Sequence, residues 1–207
     1  MFNHKVIEQA DSLSTFGLKK VVFLWAVLVS LGYGSMVFYS IAAAKSSTTV
    51  STFPAVSKLS CHAGLTLITF LHPQCPCSRA TVSELEDLLA QNKLSTGLRT
   101  YAVVSRPSGC SEAFVRGPII DSLSQIKNVQ VVIDKDDVES KLFGAKASGQ
   151  TLLFDGNGKC LFSGGITAAR GEVGDNTGVE ALRQYIAGGR ASIRKTPVFG
   201  CSLESSL

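Results

Sequence analysis

One stretch of the chain decides the fold: residues 65–89 read LTLITFLHPQCPCSRATVSELEDLL. Its first part, 65–71, is an apolar run rich in β-branched side chains, which is typical of a strand buried in a parallel sheet. In the second part, Val82, Leu85 and Leu88 recur at helical spacing with acidic residues between them. The stretch therefore predicts a strand that turns into an amphipathic helix at about 78–91, with two cysteines at the turn.

The same alternation of strands and helices continues along the chain. Further strands are predicted at 98–105, 129–134, 151–155 and 159–163, and helices at 137–144 and from Pro118 onward. The last two strands read as a hairpin, because the turn Gly156-Asn157-Gly158 joins them. Thr177 and Glu180 have the spacing of a capping box and predict a final helix. The order βαβαβαββα indicates an α/β fold with parallel strands and a terminal antiparallel hairpin.

An uncharged apolar segment precedes this domain, at residues 21–44. As a helix it would extend about 36 Å, which is enough to cross a hydrocarbon core of about 30 Å. Lys19 and Lys20 lie just before it and favour a cytoplasmic N-terminus with the remainder exported. The alternative is a cleaved signal peptide, with Ala42-Ala43-Ala44 as the small-residue cleavage site. The length of the segment favours an uncleaved transmembrane anchor.

These features divide the 207 residues into four parts. We predict a cytoplasmic tail at 1–20, the anchor at 21–44, a Ser/Thr-rich linker at 45–57, and one domain at 58–207 with a C-terminal tail at 188–207. The domain would be extracytoplasmic (periplasmic), where cysteines can oxidise. The net charge of +4 is small and is not gathered into a basic stripe, so nucleic-acid binding is excluded.

The candidate chemistry lies at the first strand-to-helix junction, where Cys75 and Cys77 flank Pro76. A helix N-terminus has unpaired N–H groups and a partial positive charge, which favour a thiolate over a thiol. Pro76 suits a first helical turn because it lacks the N–H that would be unpaired there. In an open parallel sheet, this end of the strands is also where ligands bind. The pattern favours a reactive dithiol over two incidental cysteines.

A dithiol after the first core strand of such a chain resembles the thioredoxin superfamily, over about residues 60–187. The strings HPQCPCSRA, RGEVGDN and TPVFGC further resemble membrane-anchored thioredoxin-like proteins of the RedB type. The resemblance implies a thioredoxin-like fold. Two features depart from the family pattern: only Pro76 separates the cysteines, where two residues are usual, and Gly149-Gln150-Thr151 stand where a cis-proline usually precedes the hairpin strand.

Two functions follow, and the sequence leaves both open. In the first, the chain is a membrane-anchored thiol–disulfide oxidoreductase that acts without a cofactor on a cysteine-containing protein substrate or redox partner. Cys75 would be the more exposed, attacking thiol and Cys77 the resolving thiol. In the second, Cys75 and Cys77 stay reduced and, with His72 and Cys201, bind copper or zinc for the assembly of a membrane protein.

Several other residues are candidates for supporting roles. Cys201 lies 13 residues beyond Gly188, a reach of roughly 43 Å when extended, so the tail can return to the dithiol as a third catalytic thiol. Arg170, in the glycine-rich loop after the hairpin, could hold a carboxylate or stabilise a thiolate. His72, Pro76 and Arg79 adjoin the dithiol.

The remaining cysteines are expected to lie outside the site. Cys61 and Cys110 could pair in an oxidising compartment, although sequence alone does not fix the connectivity. Cys160, inside the hairpin, is predicted to be a small core residue.

Overall fold

The structure is a computed structural model, and it describes residues 3–44, 50–91 and 97–203. The chain divides into two compact units, Met1–Ile41 and Ala42–Leu207. We describe each unit by itself.

The first unit is one helix, α1 (Asn3–Ile41). Its section Gly17–Ile41 is 25 residues long, with a mean hydropathy of 2.1 and large apolar side chains that are exposed. A helix of this length and composition can cross a membrane, and a signal sequence has the same properties. The helix begins before the predicted span of 21–44, because residues 3–20 are helical as well. It ends at Ile41, three residues before the end of that span.

The second unit is built on a five-stranded sheet in the order β3-β2-β1-β4-β5. The strands are β1 (Leu65–Leu71), β2 (Leu98–Arg106), β3 (Val129–Lys135), β4 (Thr151–Phe154) and β5 (Cys160–Gly164). The first three are parallel to one another, whereas β4 is antiparallel to β1 and to β5. The α/β class, the strand order along the chain and the terminal hairpin are thus as the sequence predicts.

Helices cover both faces of this sheet. They are α2 (Ser78–Gln91), α3 (Pro118–Gln125), α4 (Val138–Leu142) and α5 (Thr177–Ile186), with a short 3-10 helix at Glu112–Val115. Successive residues of β1 enter opposite core clusters: Leu67 and Leu71 pack in the cluster that contains α2, α3 and α5, and Ile68 and Phe70 in the cluster that contains Phe143.

The start of α5 differs from the predicted capping box. Asn176, and not Thr177, is the N-cap residue, and its side chain accepts a hydrogen bond from the Val179 N–H at 2.9 Å. The Asn176 side chain also donates to the carbonyls of Ile166 and Gly174, both at 3.0 Å. Since Asn is as good an N-cap as Thr, the pattern Thr-x-x-Glu misplaced the cap by one residue.

The domain extends into the segment that the sequence suggests as a linker. Thr52 forms an antiparallel bridge with Lys159, and the ring of Phe53 packs edge-on against Phe143 and Phe154. Ser57 donates to the buried carboxylate of Glu139 at 2.5 Å. Residues 50–57 therefore form part of the folded unit, while 45–49 lie outside the described residues.

The C-terminal tail follows the free edge of β5. Ser163 donates through its N–H to the carbonyl of Arg194 at 3.0 Å and forms a parallel bridge with Lys195. Gly165 then donates to the carbonyl of Pro197 at 3.2 Å. The tail thus covers a sheet edge that would otherwise present unpaired backbone groups.

Candidate active site

The site lies between the end of β1 at Leu71 and the start of α2 at Ser78. Two turns lead from one to the other: the Cys75 N–H donates to the carbonyl of His72 at 3.2 Å, and the Ser78 N–H donates to the carbonyl of Cys75 at 3.0 Å. Cys77 immediately precedes the helix. The junction is therefore built as the sequence predicts, with both cysteines between a buried strand and an amphipathic helix.

A disulfide joins Cys75 to Cys201, whose Cα atoms lie 6.1 Å apart. The tail thus returns to the junction, as the sequence predicts. Cys77 is a free thiol in this structure. A separation of 6.1 Å between Cα atoms is ordinary for a disulfide, whereas a ring closed through a single proline distorts the backbone between the two cysteines. The site therefore contains three cysteines, with the disulfide on the Cys75–Cys201 pair.

The exposure of the two motif cysteines is the reverse of the prediction. Cys75, predicted to be the more exposed thiol, is only 3% exposed and is bonded to Cys201. Cys77 is half-buried and carries the free sulfur. The prediction was wrong because sequence reasoning placed Cys75 at an open strand end, whereas the tail covers it.

Two serines that sequence reasoning missed connect the junction to the tail. The Ser148 hydroxyl accepts from the His72 N–H at 2.9 Å and lies 2.7 Å from the Ser78 hydroxyl. The Ser78 hydroxyl in turn lies 2.9 Å from the carbonyl oxygen of His72 and donates to it. The Ser148 N–H donates to the carbonyl of Cys201 at 2.8 Å. All of these groups are buried or half-buried, so the network fixes the position of Cys201 relative to the turn.

The imidazole of His72 is held by a hydrogen bond and by a ring contact. Its Nδ1 accepts a hydrogen bond from the Gln74 N–H at 3.2 Å, and its ring packs edge-on against Phe114 at 5.5 Å. Burial lowers the pKa of His72, and the negative charge of Asp137 opposes this only in part. The imidazole is therefore neutral near pH 7, with its proton on Nε2 because Nδ1 is an acceptor.

No group of three or more His, Cys, Asp or Glu side chains is placed to hold a metal ion in the described part of the chain. Of the four residues in the predicted set of metal ligands, Cys75 and Cys201 are bonded to each other and Nδ1 of His72 is occupied. The copper or zinc site stays a prediction for the reduced chain.

Arg170 reaches the site through the tail. Its guanidinium donates to the carbonyl of Gly200 at 2.7 Å, next to Cys201. The loop after β5 therefore approaches the disulfide, as the topology predicts. The other two candidates, Pro76 and Arg79, both have exposed side chains, and the Pro76 carbonyl accepts from the Arg79 N–H at 3.3 Å.

The other three cysteines are free thiols. Cys61 is exposed, and the predicted pairing of Cys61 with Cys110 is not present in the structure. Cys160 packs against the core cluster that contains Phe143, in agreement with its prediction as a core residue. Burial raises the pKa of Cys160 to about 11, although a backbone hydrogen bond at Phe162 and the charge of Arg194 act in the opposite direction.

The fold class follows from the strand order of the sheet and from the position of the cysteine motif. Three parallel strands and an antiparallel hairpin stand in the order β3-β2-β1-β4-β5, and the cysteine motif lies where β1 turns into α2. The fold is thioredoxin-like. In the segment Gly149-Gln150-Thr151, where a proline is usual, Gly149 has a φ of +89° and donates its N–H to the carbonyl of Phe70 at 2.7 Å.

Two solved structures are similar in fold to most of this chain. One is an uncharacterized conserved protein from Geobacillus kaustophilus, with 17% identity, a TM-score of 0.56, and coverage of 81% of this chain and 95% of that one. A hypothetical protein from Sinorhizobium meliloti 1021 has 18% identity, a TM-score of 0.55, and coverage of 79% and 94%. At such identities, the likeness concerns the fold.

A secreted disulfide oxidoreductase from Mycobacterium tuberculosis, homologous to E. coli DsbE, is less similar. It has 13% identity and a TM-score of 0.42, with coverage of 62% of this chain and 84% of that one. Compared by sequence, the chain matches no family model and no curated protein. The resemblance to RedB-type proteins stays a prediction.

Proposed function

We propose that the chain is a membrane-anchored, exported thiol–disulfide oxidoreductase that acts on cysteines of proteins. The observation that supports this most is the Cys75–Cys201 disulfide at the β1–α2 junction, with the free thiol of Cys77 two residues from Cys75. A disulfide with a neighbouring thiol can exchange without any added cofactor, because a thiolate needs only to attack one of its sulfurs.

The proposed oxidation of a substrate balances as two exchanges. A substrate thiolate attacks the Cys75 sulfur, so that a mixed disulfide forms on Cys75 and Cys201 leaves as a thiolate. The second substrate thiolate then attacks the substrate sulfur of that mixed disulfide. The substrate leaves with a disulfide, and Cys75 and Cys201 are left reduced. Run backwards, the same steps reduce a substrate disulfide.

Cys77 can also open the Cys75–Cys201 disulfide by an exchange within the protein. Its thiolate can attack the Cys75 sulfur, which forms a Cys75–Cys77 bond and releases Cys201 as a thiolate. The tighter ring through Pro76 would make that disulfide the more easily reduced of the two. We therefore assign Cys75 as the sulfur shared by both disulfides, and Cys77 and Cys201 as its alternative partners.

The membrane part of the proposal rests on α1. Its apolar section is long enough to span a bilayer, and Lys19 and Lys20 at its N-terminal side favour a cytoplasmic N-terminus. The domain would then stand in the periplasm, where its disulfide can persist.

A redox titration tests the function. The oxidised protein is mixed with a dithiol peptide, and peptide disulfide is measured while the protein thiols are trapped by alkylation and located by mass spectrometry. We expect one peptide disulfide per protein disulfide lost. Cys75→Ser should abolish the reaction, since it removes the shared sulfur, and Cys61→Ser is the matched control because Cys61 is an exposed free thiol.

Two results would contradict the proposal. One is oxidation of the peptide by Cys75→Ser at the wild-type rate. The other is a Cys75–Cys201 bond that persists unchanged across glutathione buffers from fully oxidised to fully reduced, since such a bond would be purely structural. Adding zinc or copper to the reduced protein in parallel examines the metal alternative.

A further inference from the structure

The last residues of the described chain pair with the segment just before β4. The Ser148 N–H donates to the Cys201 carbonyl at 2.8 Å, and the Leu203 N–H donates to the Lys146 carbonyl at 2.9 Å. Between them, Ala147 and Ser202 form an antiparallel bridge. We call residues 200–203 the docked tail and residues 146–148 the pairing edge. The docked tail is held by its backbone along the pairing edge, and its cysteine is bonded to the site.

This geometry combines the two interactions that a bound substrate of such a site would need. The backbone hydrogen bonds place an extended chain without regard to its sequence, and the disulfide links its cysteine to Cys75. We propose that the docked tail is a built-in mimic of the substrate, so that the site takes extended cysteinyl peptides whose neighbouring residues match those of the tail. This inference rests on the proposed function and names its substrate class.

The residue before the cysteine is the first determinant. A Cβ built on Gly200 would overlap the carbonyl oxygen of Ser148. This oxygen belongs to the backbone, so it cannot move aside as a flexible side chain could. The pairing edge therefore accepts only glycine directly before the bonded cysteine. Arg170 contributes from the other side, because its guanidinium donates to the carbonyl of that same glycine at 2.7 Å.

The residue two positions after the cysteine is the second determinant. Leu203 is 2% exposed and belongs to the core cluster that contains Phe70 and Phe143. A peptide that replaces the docked tail leaves this apolar place to be filled, and burying a leucine side chain there favours binding. Ser202, between the two, is exposed, so its side chain fills no apolar place in the domain. The preferred peptide class is thus Gly-Cys-x-Leu, with another apolar residue tolerated at the last position.

The tail also competes with any such substrate. Residues 194–197 remain fastened along β5 by backbone hydrogen bonds that do not involve the docked tail. Cys201 therefore stays near Cys75 after the disulfide opens, and a tethered competitor acts at a high effective concentration. Substrates outside the class should lose this competition, which makes the tail a filter as well as a mimic.

Capture of peptides at Cys75 tests the inference. The full-length Cys77→Ser/Cys201→Ser chain keeps Cys75 but can neither resolve a mixed disulfide at Cys77 nor reform the tail bond. It is mixed with the disulfide dimer of Phe-Gly-Cys-Ser-Leu, and the thiolate of Cys75 displaces one peptide thiolate to form the mixed disulfide. Dimers of Phe-Ala-Cys-Ser-Leu and Phe-Gly-Cys-Ser-Ser are the matched comparisons, and the adduct at Cys75 is quantified by mass spectrometry.

We expect the matching peptide to be captured about tenfold more than either comparison peptide at equilibrium. Equal capture of all three would overturn the inference and leave the proposed function standing, because Cys75 would still exchange. Capture of no peptide, together with no adduct from oxidised glutathione, would overturn the proposed function itself.

A single substitution in the otherwise unaltered chain gives a second test. Gly200→Ala should lower the fraction of Cys75–Cys201 disulfide at a fixed glutathione ratio, because the added methyl group displaces the docked tail. Gly97→Ala is the matched control, since a Cβ at Gly97 meets no atom within 4 Å. An unchanged disulfide fraction in Gly200→Ala would show that glycine is not required, which would also overturn the inference.

Discussion

His72 illustrates how one side chain in the site makes the domain sensitive to pH. Its folded pKa is lowered because burial disfavours the charged imidazolium, while Asp137 opposes this effect. The unfolded chain therefore binds a proton more readily than the folded chain, and acid favours unfolding. Stability from this residue is fully present above about pH 6.5, the usual His pKa, and is lost as the pH falls from there through the folded value.

Replacing His72 by asparagine tests this origin. An asparagine side chain can still accept the hydrogen bond from the Gln74 N–H, but it does not titrate. We expect the decrease in unfolding free energy between pH 7 and pH 5, measured by urea denaturation, to be smaller in His72→Asn than in the parent chain. An identical decrease in both proteins would assign the acid sensitivity to other groups.

At the same scale, the sequence was informative about cysteines and silent about serines. Cys75, Cys77 and Cys201 were found because thiols are rare and their spacing at a predicted helix start has a chemical meaning. Ser78 and Ser148 were missed, since serine is common and nothing in the sequence brings residue 148 next to residue 72. The exposure of Cys75 also depended on a long-range event, the docking of the tail, which local patterns do not encode.

At the scale of the elements, the N-cap of α5 is Asn176 in the structure, whereas the sequence pattern predicts Thr177. Asn176 accepts from the Val179 N–H, whereas the Thr177 side chain is exposed in the first turn. We expect Asn176→Ala to lower the unfolding free energy by about 1 kcal/mol or somewhat more, since its two donated hydrogen bonds are lost as well. Thr177→Ala should change it little. Urea denaturation of both variants measures the difference, and an equal loss in both would restore the capping box.

Strands were predicted to within one or two residues because buried parallel strands are uninterrupted apolar runs, and β1 at 65–71 is such a run. The hairpin shows the limit of this reasoning. Its second strand was expected at 159–163 and lies at Cys160–Gly164, and the pairing of β4 with β5 shifts register between Leu153 and Phe154. A bulge of this kind changes which residues face each other without changing the alternation that a sequence shows.

At the scale of the whole molecule, the folded domain reaches further than composition indicates. The Ser/Thr-rich segment around residue 50 was expected to be a linker, yet Phe53 packs edge-on against two buried phenylalanines and Ser57 donates a hydrogen bond to Glu139. The apolar side chains of Val50 and Phe53 in this polar stretch are the sequence signal of the packing. The tail is similar. Phe199 and Leu203 are buried there, whereas terminal segments are usually poorly ordered.

For the whole molecule, a charge placed within α1 tests whether this helix anchors the chain in a membrane. Val29 lies near the middle of the apolar section, and an arginine at the centre of a membrane helix costs about 2.5–3.5 kcal/mol for insertion. We expect the parent protein to keep residues 1–20 and to stay with membranes after alkaline carbonate extraction, and Val29→Arg to be partly released. Val56→Arg is the matched control, since Val56 is 77% exposed in the folded domain. A soluble product that begins at residue 45 would instead identify α1 as a cleaved signal sequence, and the proposed oxidoreductase would then act without a tether.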